Sequence, residues 1–211
     1  MGASLSGADR PFATFLMATT DAAGFPRGDL PEVAFLGRSN VGKSSLLNSL
    51  VGAKVAFTSN TPGRTRTVTF FDVALGSAKT APLLRLADLP GYGFARISRA
   101  AAKEWPKFVV PYLEKRECLD LCVLLVDSAI PPQESDMAMM DLLRGAGRQA
   151  IVVATKVDKV APSKRVSTLK VLGTALGVVP WPVSSKTGDG VDGLWQQVLL
   201  ATGNTRRSQR S

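Results

Sequence analysis

The sequence predicts an α/β fold of three layers, a mostly parallel sheet with helices on both faces, and three observations predict it. Apolar runs bounded by turn residues alternate with helical runs along the chain, the pattern of strands joined by crossover helices. A glycine-rich loop, Gly37-Arg38-Ser39-Asn40-Val41-Gly42-Lys43-Ser44, stands between a strand-like run (Val33-Ala34-Phe35-Leu36) and a helical one (Leu46, Leu47, Leu50, Val51). The polar motifs further along each follow an apolar run, at the carboxyl ends of strands where open α/β sheets bind ligands.

The elements follow in order. Residues 1–27 carry few periodic apolar positions and read as an N-terminal arm with at most one strand. Residues 28–202 form a single domain, and 203–211 read as a basic C-terminal tail. After the first helix, a polar loop (Thr61 to Thr67) leads into a β-rich run, Val68-Thr69-Phe70-Phe71-Asp72-Val73. Strands follow at Leu83 to Ala87, Leu121 to Val126, Ala150 to Ala154 and Val178 to Val183. Pro106 and Pro111 fall where a helix should run; an interior proline costs about 3 kcal/mol, so a kink or a late start at Pro106 is expected. No internal repeat or low-complexity tract occurs.

The glycine-rich loop has the form of a phosphate cradle. Its glycines let successive N–H groups turn inward, and the helix N-terminus adds a partial positive charge facing the same hollow. Lys43 can reach the β- and γ-phosphates, and Ser44 can hold Mg²⁺. Thr155-Lys156-Val157-Asp158 points to guanine: one carboxylate accepts from both N1–H and the N2 amino group, whereas adenine would leave Asp158 unpaired. Lys156 would lie along the base and brace the phosphate loop. Ser184-Ser185-Lys186, at another strand end, could offer a backbone N–H to the guanine O6. Asp88-Leu89-Pro90-Gly91 supplies an acid for Mg²⁺ through water and a Gly91 N–H for a γ-phosphate, while Thr65 would close the metal site from its loop.

Together these residues resemble the Era-like translational GTPases, and within them the EngB (YihA/YsxC) GTP-binding family. The resemblance rests on Gly-Arg-Ser-Asn-Val-Gly-Lys-Ser-Ser (37–45), Thr-Pro-Gly-Arg-Thr-x-Thr (61–67) before Phe70-Phe71, Asp-Leu-Pro-Gly-Tyr-Gly-Phe-Ala (88–95) and Thr-Lys-x-Asp-Lys (155–159). It runs from about Leu30 to Leu199. It implies a P-loop GTPase fold and a protein that assists assembly of the large ribosomal subunit, and so is needed for growth and cell division. Carried over, Gly37, Arg38, Ser39, Asn40, Val41, Gly42, Lys43, Ser44 and Ser45 would bind phosphates. Gly63, Arg64, Thr65, Arg66 and Thr67 would form the first switch, Asp88 to Gly91 would open the second, and Ser44 and Thr65 would ligate Mg²⁺ directly. Lys43, Thr65 and Gly91 would carry the chemistry, and Asn40 resembles the asparagine that holds K⁺ beside the phosphates in some Era-like GTPases. Arg66 stands where the family usually has glutamine.

Some chemistry is missing. Better-known switch GTPases follow Asp-x-x-Gly with a glutamine that orients the attacking water; here it is Tyr92. The chain also has no histidine, the commonest general base. Hydrolysis must rest on positioning and charge neutralisation, and slow intrinsic turnover is expected.

Of the 211 residues, 45% are hydrophobic, which suits one well-buried domain, and the net charge is +9. Between Val33 and Phe71 stand Arg38, Lys43, Lys54, Arg64 and Arg66 with no acid; Arg96, Arg99, Lys103 and Lys107 follow the second switch, and Arg206, Arg207 and Arg210 end the chain. Such a field suits contact with RNA phosphates, met by shape rather than base reading. Cys118 and Cys122 read as two buried, reduced thiols. No apolar stretch reaches the ~18 residues of a membrane span, and no charged-then-apolar leader opens the chain; a cytoplasmic monomer without membrane contact is expected.

The leading expectation is a slow GTPase switch that docks on the large ribosomal subunit or its precursor rRNA with GTP and leaves with GDP. An RNA-binding assembly scaffold with mainly structural GTP is the alternative. A small-molecule kinase shares the cradle but has no use for Asp158.

Overall fold

Every residue of β2 (Glu32–Gly37) is buried, because it lies between two parallel neighbours and under helices on both sides. The computed structural model describes residues 10–54, 67–93 and 109–204. The seven strands are β1 (Pro11–Thr19), β2, β3 (Val68–Leu75), β4 (Leu84–Asp88), β5 (Leu119–Asp127), β6 (Ala150–Thr155) and β7 (Trp181–Pro182), in sheet order β1-β3-β4-β2-β5-β6-β7. β4-β2-β5-β6-β7 run parallel, while β1 and β3 pair antiparallel at one side.

The helices are α1 (Lys43–Val51), α2 (described at 109–115), α3 (Glu134–Gly145), α4 (Pro162–Leu176) and α5 (Val191–Ala201). Alternation along the strands sorts them. Val33, Phe35, Leu121, Val123 and Leu125 point to one face with Leu46, Leu47 and Leu50 of α1 and Leu194, Trp195 and Val198 of α5. Ala34, Leu36, Cys122, Leu124 and Val126 point to the other with Tyr112 and Leu113 of α2, Met139, Met140 and Leu143 of α3 and Leu172 and Leu176 of α4. Burying each large apolar side chain contributes about 1.5–3 kcal/mol, so both layers hold the sheet.

β7 is two residues long, not the six of the apolar run 178–183, because Pro180 and Pro182 lack the N–H that a ladder needs. Pro111 sits within the described turns of α2; Pro106 lies outside the described residues. β1 draws the N-terminal segment into the sheet against β3, with a register shift between Phe15 and Met17. Asn204, beyond α5, donates from its side-chain amide to the Leu83 carbonyl at 3.3 Å.

Opposite the strand carboxyl ends, Glu32 is fully buried and accepts from Tyr112 Oη at 3.0 Å, Arg116 Nε at 2.7 Å and Cys118 Sγ at 3.0 Å. Cys122 is buried, but Cys118 is only half-buried, contrary to the expectation of two buried thiols; it sits at the turn before β5 rather than in the strand. Burial pushes both thiols up to about 12.

Candidate nucleotide site

The phosphate loop leaves β2 at Gly37 and enters α1 at Lys43. Gly42 caps α1 with φ 106°, a left-handed conformation that side chains disfavour. Asn40 also has a positive φ, 63°, which a short amide side chain tolerates. Val41 is buried beneath the loop, and its N–H donates to the Arg38 carbonyl at 3.1 Å. The first turn of α1 carries no acidic residue and no side-chain cap, leaving its N–H groups and the helix dipole for an anion. Ser44 and Ser45 stand in that turn, Ser45 exposed.

Asp88 ends β4, and the Lys43 ammonium donates to its Oδ1. Beyond it, Leu89 and Pro90 are buried. The chain is then stapled to the phosphate loop: Tyr92 N–H donates to the Gly37 carbonyl at 3.2 Å and Ser39 N–H to the Tyr92 carbonyl at 3.1 Å. Gly91 is required by this approach, since a Cβ there would stand 2.7 Å from Ser39 Oγ and 3.1 Å from Ser39 N. Ser39 Oγ and Arg38 Nε are buried without a hydrogen-bond partner among the described residues. The Tyr92 ring packs into the helix-covered core, where its hydroxyl donates to Asp136 Oδ1 of α3 at 2.9 Å. Burial raises the Tyr92 pKa above its ordinary value, and burial likewise raises that of Asp136, against the Tyr92 hydrogen bond and the Arg38 charge.

A second brace comes from the end of β6. Thr155 Oγ1 donates to the Val41 carbonyl at 2.7 Å, with the Val126 carbonyl at 3.1 Å, so this hydroxyl holds the phosphate loop. Lys156 reaches back to the Asn40 carbonyl at 2.7 Å and to Asp127 Oδ2 at 2.6 Å. Its own φ of 57° is a strained conformation for a lysine, of a kind costing about 1–3 kcal/mol, which these two contacts offset. Val157 is buried under the turn that carries Asp158. Ser184 Oγ donates to Asp158 Oδ1 at 2.6 Å, and this bond holds the carboxyl below its usual range. The N–H groups of Lys186 and Thr187 in turn donate to Ser184 Oγ at 3.3 and 3.2 Å. Ser185 is half-buried and Lys186 exposed at this rim. One oxygen of Asp158 is thereby fixed, and the carboxylate keeps acceptor sites for a base edge carrying two donors.

Gly63, Arg64, Thr65 and Arg66 lie outside the described residues, as do Phe94 to Lys107 and Arg206 to Arg210; Thr67 is described, half-buried, just before β3. Asp127, Ser128 and Asp136 were not singled out in the sequence. Asp127 obeys the rule that found Asp88, an acid closing an apolar strand. Ser128 Oγ donates to the Thr155 carbonyl at 2.6 Å, a contact without a sequence signal. The donor set fits Mg²⁺: a helix-start hydroxyl (Ser44) and a strand-end carboxylate (Asp88) are hard oxygens, and that ion takes one or two protein oxygens plus phosphate and water.

This arrangement is that of the P-loop GTPases, and a family model described as 50S ribosome-binding GTPase matches residues 32–156. A "probable GTP-binding protein EngB" from Koribacter versatilis is 45% identical over 195 residues, 92% of this chain and 96% of that protein. One of the same description from Acidobacterium capsulatum is 46% identical over 188 residues, 89% of each. The crystal structure of a probable GTP-binding protein engB superposes with TM-score 0.65 at 25% identity, covering 82% of this chain and 98% of that one. Era, in complex with MgGDPNP and nucleotides 1506–1542 of 16S ribosomal RNA, superposes with TM-score 0.64 at 25% identity, covering 82% of this chain and 56% of that one. The chain belongs to the EngB family of GTP-binding proteins.

Proposed function

We propose that this protein is a slow, Mg²⁺-dependent GTPase switch that acts in assembly of the large ribosomal subunit, in the cytoplasm and as a monomer. The observation that carries the reading is the pair of backbone bonds between Tyr92 and the phosphate loop. They hold the Gly91 N–H beside the loop, so a γ-phosphate and the second switch report on each other.

With nucleotide bound, the Lys43 ammonium would turn from Asp88 to the β- and γ-phosphates, and Ser44 directly and Asp88 through water would hold the metal. Mg²⁺ supplies charge neutralisation on the phosphate oxygens. Thr65 would complete the metal site, the loop N–H groups would cradle the phosphates, and Asp158, held by Ser184, would select guanine. Asn40 offers an oxygen for K⁺. Slow turnover follows from Tyr92: its hydroxyl is engaged with Asp136, in the core, and no glutamine stands there to orient water. The partner's RNA is supported by the net charge of +9 and by the rRNA bound to Era in its crystal structure.

Single-turnover hydrolysis of GTP and ATP, with and without large ribosomal subunits and in KCl against NaCl, tests the reading. Slow GTP-only turnover, faster in KCl and with subunits, is expected. Equal use of ATP would remove Asp158 from its role, and equal rates in the two salts would remove K⁺ from Asn40.

A further inference from the structure

Between Asp158 and Asp189 the chain has no acidic residue, while Lys159, Lys164, Arg165, Lys170 and Lys186 fall within it. Most of this stretch is α4 and its flanks. Only Leu172 and Leu176 of α4 are buried. The outer face presents Ser163, Lys164, Ser167, Lys170 and Thr174, all exposed, flanked by Val166 and Val171 at 78% and 56% exposure.

Several basic groups elsewhere serve the fold, while Arg10, Arg27, Lys54, Lys79 and Lys115 are exposed but lie scattered, not gathered on one helix face. Arg85 is paired with Asp72 at 2.6 Å, Arg116 with Glu32 at 2.7 Å, Lys156 with Asp127 at 2.6 Å and Lys43 with Asp88. Arg148 donates to the carbonyls of Leu119 and Arg116 at 3.1 and 3.0 Å. By contrast Lys159, Lys164 and Lys170 pair with no carboxylate among the described residues. Ammonium and hydroxyl groups, without an acid to repel an anion, are the side chains that contact phosphate and sugar without reading bases. Fifteen helical residues span about 22 Å, enough to meet several successive phosphates of a duplex.

The position of α4 adds a second point. It follows β6 and packs Leu172 and Leu176 with Val152 and Ala154 of that strand, whereas Asp88 ends β4, on the other side of β2 in the sheet order. A γ-phosphate acts on that other side, so a ligand on α4 has no differential contact with the two nucleotide states.

We propose that the outer face of α4, centred on Lys164 and Lys170, docks on the phosphate backbone of double-stranded ribosomal RNA in the GTP and GDP states alike. This rests on the ribosomal RNA reading above. It assigns the protein two points of attachment, a constant one on α4 and a nucleotide-dependent one at the switches.

The test is co-sedimentation with large ribosomal subunits and with their protein-free rRNA, in GDP and in a non-hydrolysable GTP analogue, across a salt series. Lys164→Glu/Lys170→Glu is compared with wild type and with Lys79→Glu, an exposed lysine in the β3–β4 turn. Losing two phosphate contacts should weaken binding about thirtyfold near physiological salt and lower the salt slope by about two. The factor should be the same in both nucleotide states and on both RNA targets, with GTP affinity and the Lys79→Glu control unchanged. Wild-type binding by the double variant would overturn the α4 proposal while leaving the ribosomal reading intact. Failure of the wild type to bind subunits would remove the ribosomal reading, and this proposal with it. Loss on subunits but not on protein-free rRNA would assign α4 to an acidic ribosomal protein and overturn the RNA docking. An equal loss in Lys79→Glu would reduce the effect to net charge, and loss in the analogue state alone would overturn the state independence.

Discussion

Tyr92 Oη stands 2.9 Å from Asp136 Oδ1 and donates to it, both residues being buried. Through this bond the first residue after Asp-x-x-Gly is anchored to α3 by its side chain, while its backbone is anchored to the phosphate loop. Arg38, on the loop, adds its positive charge near the same carboxylate. The phosphate loop, the segment after β4 and α3 thus meet at one tyrosine.

Tyr92→Phe keeps the ring in the core and removes the donor. A buried carboxylate deprived of its partner should cost about 2 kcal/mol. Urea unfolding checks this: the midpoint should fall with no change in slope. Because Gly91 precedes this residue, the ratio of GTP-analogue to GDP affinity should also fall, an effect that lost packing alone would not produce.

Lys43→Ala should abolish measurable binding of both GTP and GDP in a fluorescent-nucleotide titration. It also leaves Asp88 without its ammonium partner. Retained GTP affinity would sink the assignment of the phosphate cradle.

Asp158→Asn replaces an acceptor with a donor at the point that faces the guanine N2 amino group. GTP affinity should fall by roughly a hundredfold or more, because two donors lose a shared carboxylate. Xanthosine triphosphate, with a carbonyl in place of that amino group, should bind the variant better than GTP. Competition between the two nucleotides reads this directly.

Burial raises both cysteine thiols from 9.0 to about 12, which fixes the sign of a pH effect. Between pH 9 and 12 the folded chain keeps thiol protons that the unfolded chain has lost, so stability falls as pH rises through that window. A Cys118→Ala/Cys122→Ala variant should show a shallower decline in urea midpoint between pH 8.5 and about pH 10.5 than wild type.

Much of the fold was legible because strands buried on both faces write continuous apolar runs, as at Leu121 to Val126, and the glycine-rich loop marks where one strand turns into a helix. The strand at 178–183 was over-read because apolarity was counted and the missing N–H groups of Pro180 and Pro182 were not. At the site, Asp88, Lys156 and Asp158 declare themselves by spacing. The bonds that orient them do not: Asp127, an acid closing an apolar strand like Asp88, holds Lys156, Ser184, read only as a backbone donor to the base, holds Asp158 by its hydroxyl, and Asp136 acts on Tyr92 from a helix layer. Thr155 was placed at the base by its motif, yet its hydroxyl is engaged with the Val41 carbonyl of the phosphate loop.

On the proposed function, nucleotide state controls attachment to the large ribosomal subunit. The most direct measurement is the affinity of the wild-type protein for purified large subunits with a non-hydrolysable GTP analogue and with GDP at one salt concentration. Binding tighter by about tenfold or more with the analogue, the span of a typical coupling free energy, is the predicted result. Equal affinity in the two states would contradict it and leave GTP a structural role in an RNA-binding scaffold.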